Sequence, residues 1–244
     1  MYKKVKYLTS GDKALVIEFG DSIEEKINSQ IISLTLVMKK ENILGIIETI
    51  PTYRSLMVIY EPMIIELDDL INKVKSLILK MDEMKLSDAK VIQIPTIYGG
   101  EYGPDIEFVA KHNMISIDEV IKIHTSVEYL IYMIGFTPGF PYLGGMNDKI
   151  AAPRLQTPRN EIPIGSIGIA GTQTGIYPIQ SPGGWQLIGR TPVKLYDSSR
   201  KEPVLLNAGD YIKFVQINEE EYKSIENLER QGKYKVNVAM KDRR

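Results

Sequence analysis

Residues Gly135 to Pro192 read GFTPGFPYLGGMNDKIAAPRLQTPRNEIPIGSIGIAGTQTGIYPIQSPGGWQLIGRTP. These 58 of 244 residues hold 11 of the 19 glycines and 8 of the 13 prolines, but only six charged side chains. Glycine opens φ values closed to other residues, and proline locks φ and removes a donor. A stretch this rich in both precludes long helices and favours short strands joined by tight turns. Strands are predicted at Ser166 to Ala170, Ile176 to Ile179 and Trp185 to Ile188, and beyond the stretch at Val193 to Tyr196 and Tyr211 to Ile217. Many short strands at that spacing predict a barrel or a sandwich.

Upstream, Tyr129 to Phe136 (YLIYMIGF) has the aromatic and β-branched content of a strand. A helix carrying Val120, Ile121 and His124 precedes it, opened by Ser116 and Glu119 as a capping box. Gly99-Gly100 and then Pro104-Asp105 mark a turn and the start of a short helix reaching about His112. Nearer the start, Ala14 to Phe19 (ALVIEF) is a strand between turns. Ser22 and Glu25 predict a second capping box, and Ile23, Ile27, Ile31, Leu34 and Met38 form one helical stripe ending near Lys40. Strands follow at Ile43 to Thr49 and Leu56 to Tyr60, joined around Pro51, and Leu70, Ile71, Val74, Leu77, Ile78 and Met81 mark another helix. With Lys90 to Ile97 (KVIQIPTI) as a further strand, the order predicts a small two-layer α+β domain of roughly ferredoxin-like order. The expected domains are residues 1–88 and 89–244, with the boundary in the charged segment Lys80 to Lys90. Glu219 to Gln231 is predicted as a closing surface helix with Tyr222, Ile225 and Leu228 inward.

Composition narrows the function classes. Thirty Lys and Arg against 31 Asp and Glu leave a formal charge of −1, so no global field holds nucleic acid or an anionic membrane. No cysteine is present, which excludes disulfides, thiolate nucleophiles and cysteine-ligated zinc. With two histidines, a multi-histidine metal site is not expected either. Lys3, Lys4 and Lys6 have no apolar segment behind them, and no window approaches the ~18 apolar residues of a membrane span, so the expected address is the cytoplasm.

Three of the stretch's four basic residues are arginines, Arg154, Arg159 and Arg190, set among apolar residues and glycines. Arginine there suits bidentate capture of a carboxylate or phosphate, and glycine lets backbone N–H groups approach a ligand; each arginine pairing with a nearby acid is the plainer alternative. His124 titrates near neutrality when unperturbed and is a candidate general base or donor, the alternative being a satisfied histidine at a helix end. GIAGTQTG (Gly168 to Gly175) lacks the Lys-Ser/Thr of a Walker A loop, and no G-x-S-x-G elbow is present. Gly183-Gly184 before Trp185 would serve as an anion nest or simply as tight barrel turns. Tyr132, Tyr142, Tyr177 and Trp185 line a pocket or fill the core.

The strings HTSVEYLIYMIGFTPGFPYLGG (His124 to Gly145), TPRNEIPIGSIGIAGTQTGIYPIQSPGGWQLIGRTP (Thr157 to Pro192), NAGDYIKF (Asn207 to Phe214) and GDKALVIEFG (Gly11 to Gly20) resemble the KipI family, also called the 5-oxoprolinase B subunit or allophanate hydrolase subunit 1. The likeness spans nearly the whole chain; Ile164 before Gly165 is a minor departure, where a smaller residue is expected. It implies an α+β N-terminal domain and a cyclophilin-like C-terminal β-barrel. The isolated chain is expected to be inactive or nearly so, because no complete catalytic constellation is visible in it. With a partner resembling allophanate hydrolase subunit 2 (the C subunit) and a third component, such a protein opens 5-oxo-L-proline to L-glutamate at the expense of ATP with magnesium. Relatives form the carboxyltransferase part of urea carboxylase, which makes a urea- or allophanate-type amide an alternative substrate.

Activating an unstrained lactam needs donors aimed at the charge that develops on its carbonyl oxygen. Under this resemblance Gln173 and the backbone at Gly171 and Gly183-Gly184 are expected to supply them. Arg159 and Arg190, before Arg154, are expected to hold the substrate carboxylate or phosphate, and His124 or Tyr177 to move the proton. Tyr142 and Trp185 complete the expected binding surface. The rival function within the family is inhibition of a sporulation sensor histidine kinase. Peptidyl-prolyl isomerase activity rests on the fold alone and ranks last.

Overall fold

In the computed structural model of the protein, which describes residues 1–81 and 88–242, the chain opens with an antiparallel pair, β1 (Lys6–Thr9) and β2 (Ala14–Glu18). Then come α1 (Glu25–Glu41), the pair β3 (Ile46–Pro51) and β4 (Ser55–Tyr60), and α2 (Leu67–Met81). The strands form one antiparallel sheet in the order β1-β2-β4-β3. Period-two alternation turns Leu15, Ile17, Leu56 and Val58 to one face, where Ile27, Ile31 and Leu34 of α1 and Leu70 and Val74 of α2 cover them. Each such side chain, fully buried, contributes roughly 1.5–3 kcal/mol.

Two details depart from expectation. Helix α1 begins on Glu24 with no side-chain cap; the Ser22 hydroxyl donates to the Glu24 carboxylate, and Ile23 is exposed. The ferredoxin-like order also closes differently. The edge place beside β2 is taken by β1, and β5 (Ala89–Tyr98) lies in another sheet. The described residues divide into an N-terminal unit, residues 1–88, and a barrel unit, Ala89–Asp242. Most of the Lys80 to Lys90 segment expected to separate two domains lies outside the described residues.

The barrel unit continues with α3 (Ile106–His112), α4 (Ile117–Ser126), β6 (Tyr129–Ile134), β7 (Pro141–Gly144), β8 (Arg159–Ile162), β9 (Ser166–Ala170), β10 (Gln173–Ile176), β11 (Ser181–Gly183), β12 (Gln186–Arg190), β13 (Tyr211–Gln216), α5 (Glu219–Arg230) and β14 (Val238–Lys241). One sheet runs β10-β9-β12-β5-β13-β6-β7, and its end strands β7 and β10 lie against each other, so the barrel is nearly closed. Strand β5 is its axis. It pairs in parallel with β13 along one edge, and its other edge is shared by β14 (Ala89 to Ile92) and β12 (Ile97, Tyr98). Ile94, Ile131, Ile167, Ile169, Ile188, Ile212 and Phe214 fill the interior. Strands β8 and β11 form a separate two-stranded ribbon.

Of the capping box predicted for α4 the serine half forms, with Ser116 accepting from the Glu119 N–H. Val193 to Tyr196 is not a strand, and the strand expected at Ile176 to Ile179 lies earlier, at β10, because it pairs with β9 across Gly171 and precedes Pro178. In α5, Tyr222 is inward but Leu228 is exposed; Glu229 takes the inward place and pairs with Arg200 at 3.1 Å. Among the described residues no helix is long and apolar enough to cross a membrane.

Candidate functional site

The outer face of β9 and β10 carries bare backbone where Gly168 and Gly175 pair with each other. A Cβ at either position would come within 3.0 Å of Trp185. Glycine therefore gives the Trp185 side chain a floor to lie on. Phe140 meets the indole edge-on (centroids 6.0 Å apart, 87°) and also meets Tyr142 (5.3 Å) and Tyr177 (5.8 Å) in T-shaped contacts. These geometries set ring edges against π-faces and stabilise the cluster beyond its area burial. Ile162 and Leu187 complete its apolar base. Tyr177 is buried, which raises its pKa, and its hydroxyl accepts a hydrogen bond from the Trp185 backbone. Gly183 is required beside it, because a Cβ there would collide with that hydroxyl and with Ile162.

The arginines separate. Residues 153–155 run beside 184–186: Leu155 N–H donates to Gly184 O (2.8 Å) and Gln186 Nε2 to Pro153 O (2.9 Å). This brings the exposed Arg154 to the aromatic face, near enough for its charge to pull the Tyr177 pKa down against the effect of burial. Arg159 is committed to Asp105: its Nη2 lies 2.7 and 2.9 Å from the two carboxylate oxygens, and its Nη1 donates to Trp185 O at 3.3 Å. Arg159 is thus paired with an acid and not open to a ligand carboxylate or phosphate. Arg190 points elsewhere, its guanidinium 5.6 Å from the Tyr102 ring and hydrogen-bonded to Tyr222, with Nε buried and without a partner.

His124 is not on this face. It is fully buried, packed 4.4 Å from the Phe214 ring, with Nδ1 2.8 Å from Tyr98 Oη and Nε2 2.9 Å from Thr174 Oγ1. Thr174 gives its one proton to Gly168 O (3.1 Å), so it accepts from His124 Nε2–H, and Nδ1 in turn accepts from Tyr98. Burial lowers the His124 pKa to about 3. It is a neutral core histidine, out of reach of a substrate on the aromatic face. Gly171, expected as an oxyanion donor, gives its N–H to Ala152 O (2.7 Å). Gln173 opens β10 next to that turn, and Tyr132 is buried. Ile164 is half-exposed in the turn between β8 and β9, where a larger side chain meets solvent.

The structure thus brings together Tyr142, Arg154, Arg159, Tyr177, Gly183, Gly184 and Trp185, and places His124 and Arg190 apart. Asp105, Phe136 and Phe140 are additional. Phe136 is 79% exposed at φ +68°, a conformation rare without glycine, and sits edge-on to Phe140. The repeated aromatics of GFTPGFPY signal this loop; nothing local distinguishes Asp105 from an ordinary helix cap. Among the described residues no group of three or more His, Cys, Asp or Glu gathers to hold a metal.

Residues 5–206 match the family described as carboxyltransferase domain, subdomain C and D. The chain is 46% identical to the 5-oxoprolinase B subunit of Bacillus subtilis (strain 168) over 222 residues, 87% of this chain and 92% of that one. To the 5-oxoprolinase B subunit of Haemophilus influenzae it is 51% identical over 135 residues, 54% of this chain and 63% of that one. The crystal structure of TTHA0988 matches with a TM-score of 0.78 and 32% identity over 84% of this chain, which spans only 40% of that protein. With a family match over most of its length and a relative aligned along nearly all of its own, the chain belongs to the carboxyltransferase subdomain C and D family, as a member of its 5-oxoprolinase B-subunit group.

Proposed function

We propose that the chain is the B subunit of an ATP-dependent 5-oxoprolinase that opens 5-oxo-L-proline to L-glutamate, and that the aromatic face around Trp185 is its share of the lactam site. The observation that carries the reading is the 46% identity to a 5-oxoprolinase B subunit along 92% of that protein. The chemistry of the face supports it. A five-membered lactam offers three apolar ring carbons to the rings of Trp185 and Tyr142, and a carboxylate to the guanidinium of Arg154. Tyr177, kept protonated by burial and already accepting from the Trp185 backbone, retains its O–H proton to donate to the lactam oxygen as charge develops there.

Among the described residues, those on and beside the aromatic face do not fit a nucleoside triphosphate. Gly171 N–H and Arg159 are engaged within the fold, and the glycine-rich turn carries no phosphate-binding lysine. The proposal therefore assigns ATP and its magnesium to the partners, a protein like allophanate hydrolase subunit 2 and a third component, and completes the lactam site at their interface. The test is co-expression with both partners and an assay of glutamate release from 5-oxoproline with and without ATP. ATP-dependent release from the assembly, and none from the isolated chain, is expected; no release from a verified assembly would refute the proposal.

A further inference from the structure

We propose that Asp105 is a positioning residue for the lactam site: with Arg159 it forms a clamp that fixes the Trp185–Leu187 backbone, and so the indole wall, in place. The kinetic arm of this proposal rests on the assignment of the aromatic face to substrate; the structural arm does not.

Asp105 occupies the N-cap place of α3, where a carboxylate ordinarily accepts from the first helical N–H groups. It makes no such bond. Its carboxylate is turned to the barrel instead: Oδ2 accepts from Leu187 N–H at 2.6 Å, and both oxygens accept from Arg159. Its own backbone N–H donates to Leu187 O at 2.9 Å. Asp105 thus offers Leu187 one donor and one acceptor, as a paired strand residue would.

That substitute is needed at this point of the barrel. Strand β12 pairs with β5 only through Gly189 and Arg190, and its pairing with β9 shifts register between Leu187 and Gly189. Along its β5-facing edge, Leu187 therefore lies beyond the ladder. Arg159 ties down the other side of Gln186 by donating to Trp185 O. The two contacts bracket one residue, and the pair is held away from solvent, with side-chain exposures of 29% for Arg159 and 14% for Asp105. An ion pair satisfied on several sides in this way serves geometry more than net stability.

Trp185 is the chain's single tryptophan, so indole emission reports on this wall alone. In the full chain, Asp105→Asn and Arg159→Gln are expected to red-shift the emission and to raise acrylamide quenching about twofold, as the loosened segment admits water. Arg159→Lys is expected to behave like Arg159→Gln, because an ammonium cannot reach the carboxylate and the Trp185 carbonyl as a fork does. The double variant should be no worse than either single one, since both remove one clamp. Asp105→Glu, which restores the charge, should recover part of the wild-type emission. Asp197→Asn, which breaks a surface ion-pair cluster elsewhere, should leave emission unchanged.

In the assembled enzyme the Asp105→Asn variant should raise KM for 5-oxoproline about tenfold while kcat changes less than about threefold. Wild-type emission and quenching in both Asp105→Asn and Arg159→Gln would overturn the clamp. A shifted emission with unchanged KM would uphold the clamp and overturn the placement of substrate on the aromatic face.

Discussion

At the scale of single residues, the most informative side chain is His124. Its neutral form is held by Tyr98 and Thr174, and burial lowers its pKa to about 3. The unfolded chain takes up a proton near pH 6.5, where the folded chain does not. Stability is therefore full above about 6.5 and falls as pH drops toward 3. At pH 5 the loss is about 2 kcal/mol, at 1.36 kcal/mol per unit. Urea titrations at pH 7 and pH 5 should show it, and His124→Asn should flatten that difference while lowering stability at both. Thr174→Val leaves Nε2–H without an acceptor, and should cost about 1–3 kcal/mol at neutral pH by the same measurement. The sequence showed this histidine as a candidate base because residue type was all it displayed. What decides its role is enclosure by Phe214 and Thr174, from strands far along the chain.

At the scale of elements, the site depends on a ribbon and a turn. Strands β8 and β11 set Gly183 against the Tyr177 hydroxyl, so Gly183→Ala should displace that ring or the ribbon and cost about 1–3 kcal/mol. Urea unfolding would read the loss, and adding Tyr177→Phe should recover part of it. Arg154, delivered by residues 153–155, is the exposed cation of the face. Arg154→Ala should raise KM for 5-oxoproline in the assembled enzyme by roughly ten- to a hundredfold, a charge-assisted pair contributing about 1.5–3 kcal/mol, with stability unchanged. Element types were largely legible: α1, α2, α4, β9 and β13 follow from apolar period and glycine punctuation. Less legible were features set by a distant partner. Glu229 is inward because Arg200 waits for it, and Arg159 is withheld from ligand because Asp105, 54 residues earlier, neutralises it. No local pattern encodes such pairs.

At the scale of the molecule, the Gly135 to Pro192 texture pointed to a barrel or a sandwich and the family resemblance to a barrel, and the sheet that forms is a nearly closed barrel. The sequence placed Lys90 to Ile97 beyond the expected boundary at residue 88 but did not show which strands it pairs with, because a strand's partners are not written in its own residues. Nor did it reveal β14, which covers the Ala89 to Ile92 edge of β5 and is pinned by Lys241 to Glu128 at 2.6 Å. A chain ending at Lys235 should lose several degrees of thermal stability and self-associate through the bared edge, read by melting and size-exclusion chromatography.

The split edge of β5 also sets a timetable for biosynthesis. The sheet of the N-terminal unit has all its strands by Tyr60, whereas β5 must wait for β13 and β14; the contact of Lys90 with Asp210 spans 120 residues. At about 5–20 residues per second on the ribosome, that delay is roughly ten seconds, during which Ile92 and Ile94 have no partner strand. The nascent barrel thus keeps an apolar strand edge unpaired until β13 and β14 have emerged, the kind of surface that makes a partly synthesised chain prone to aggregate.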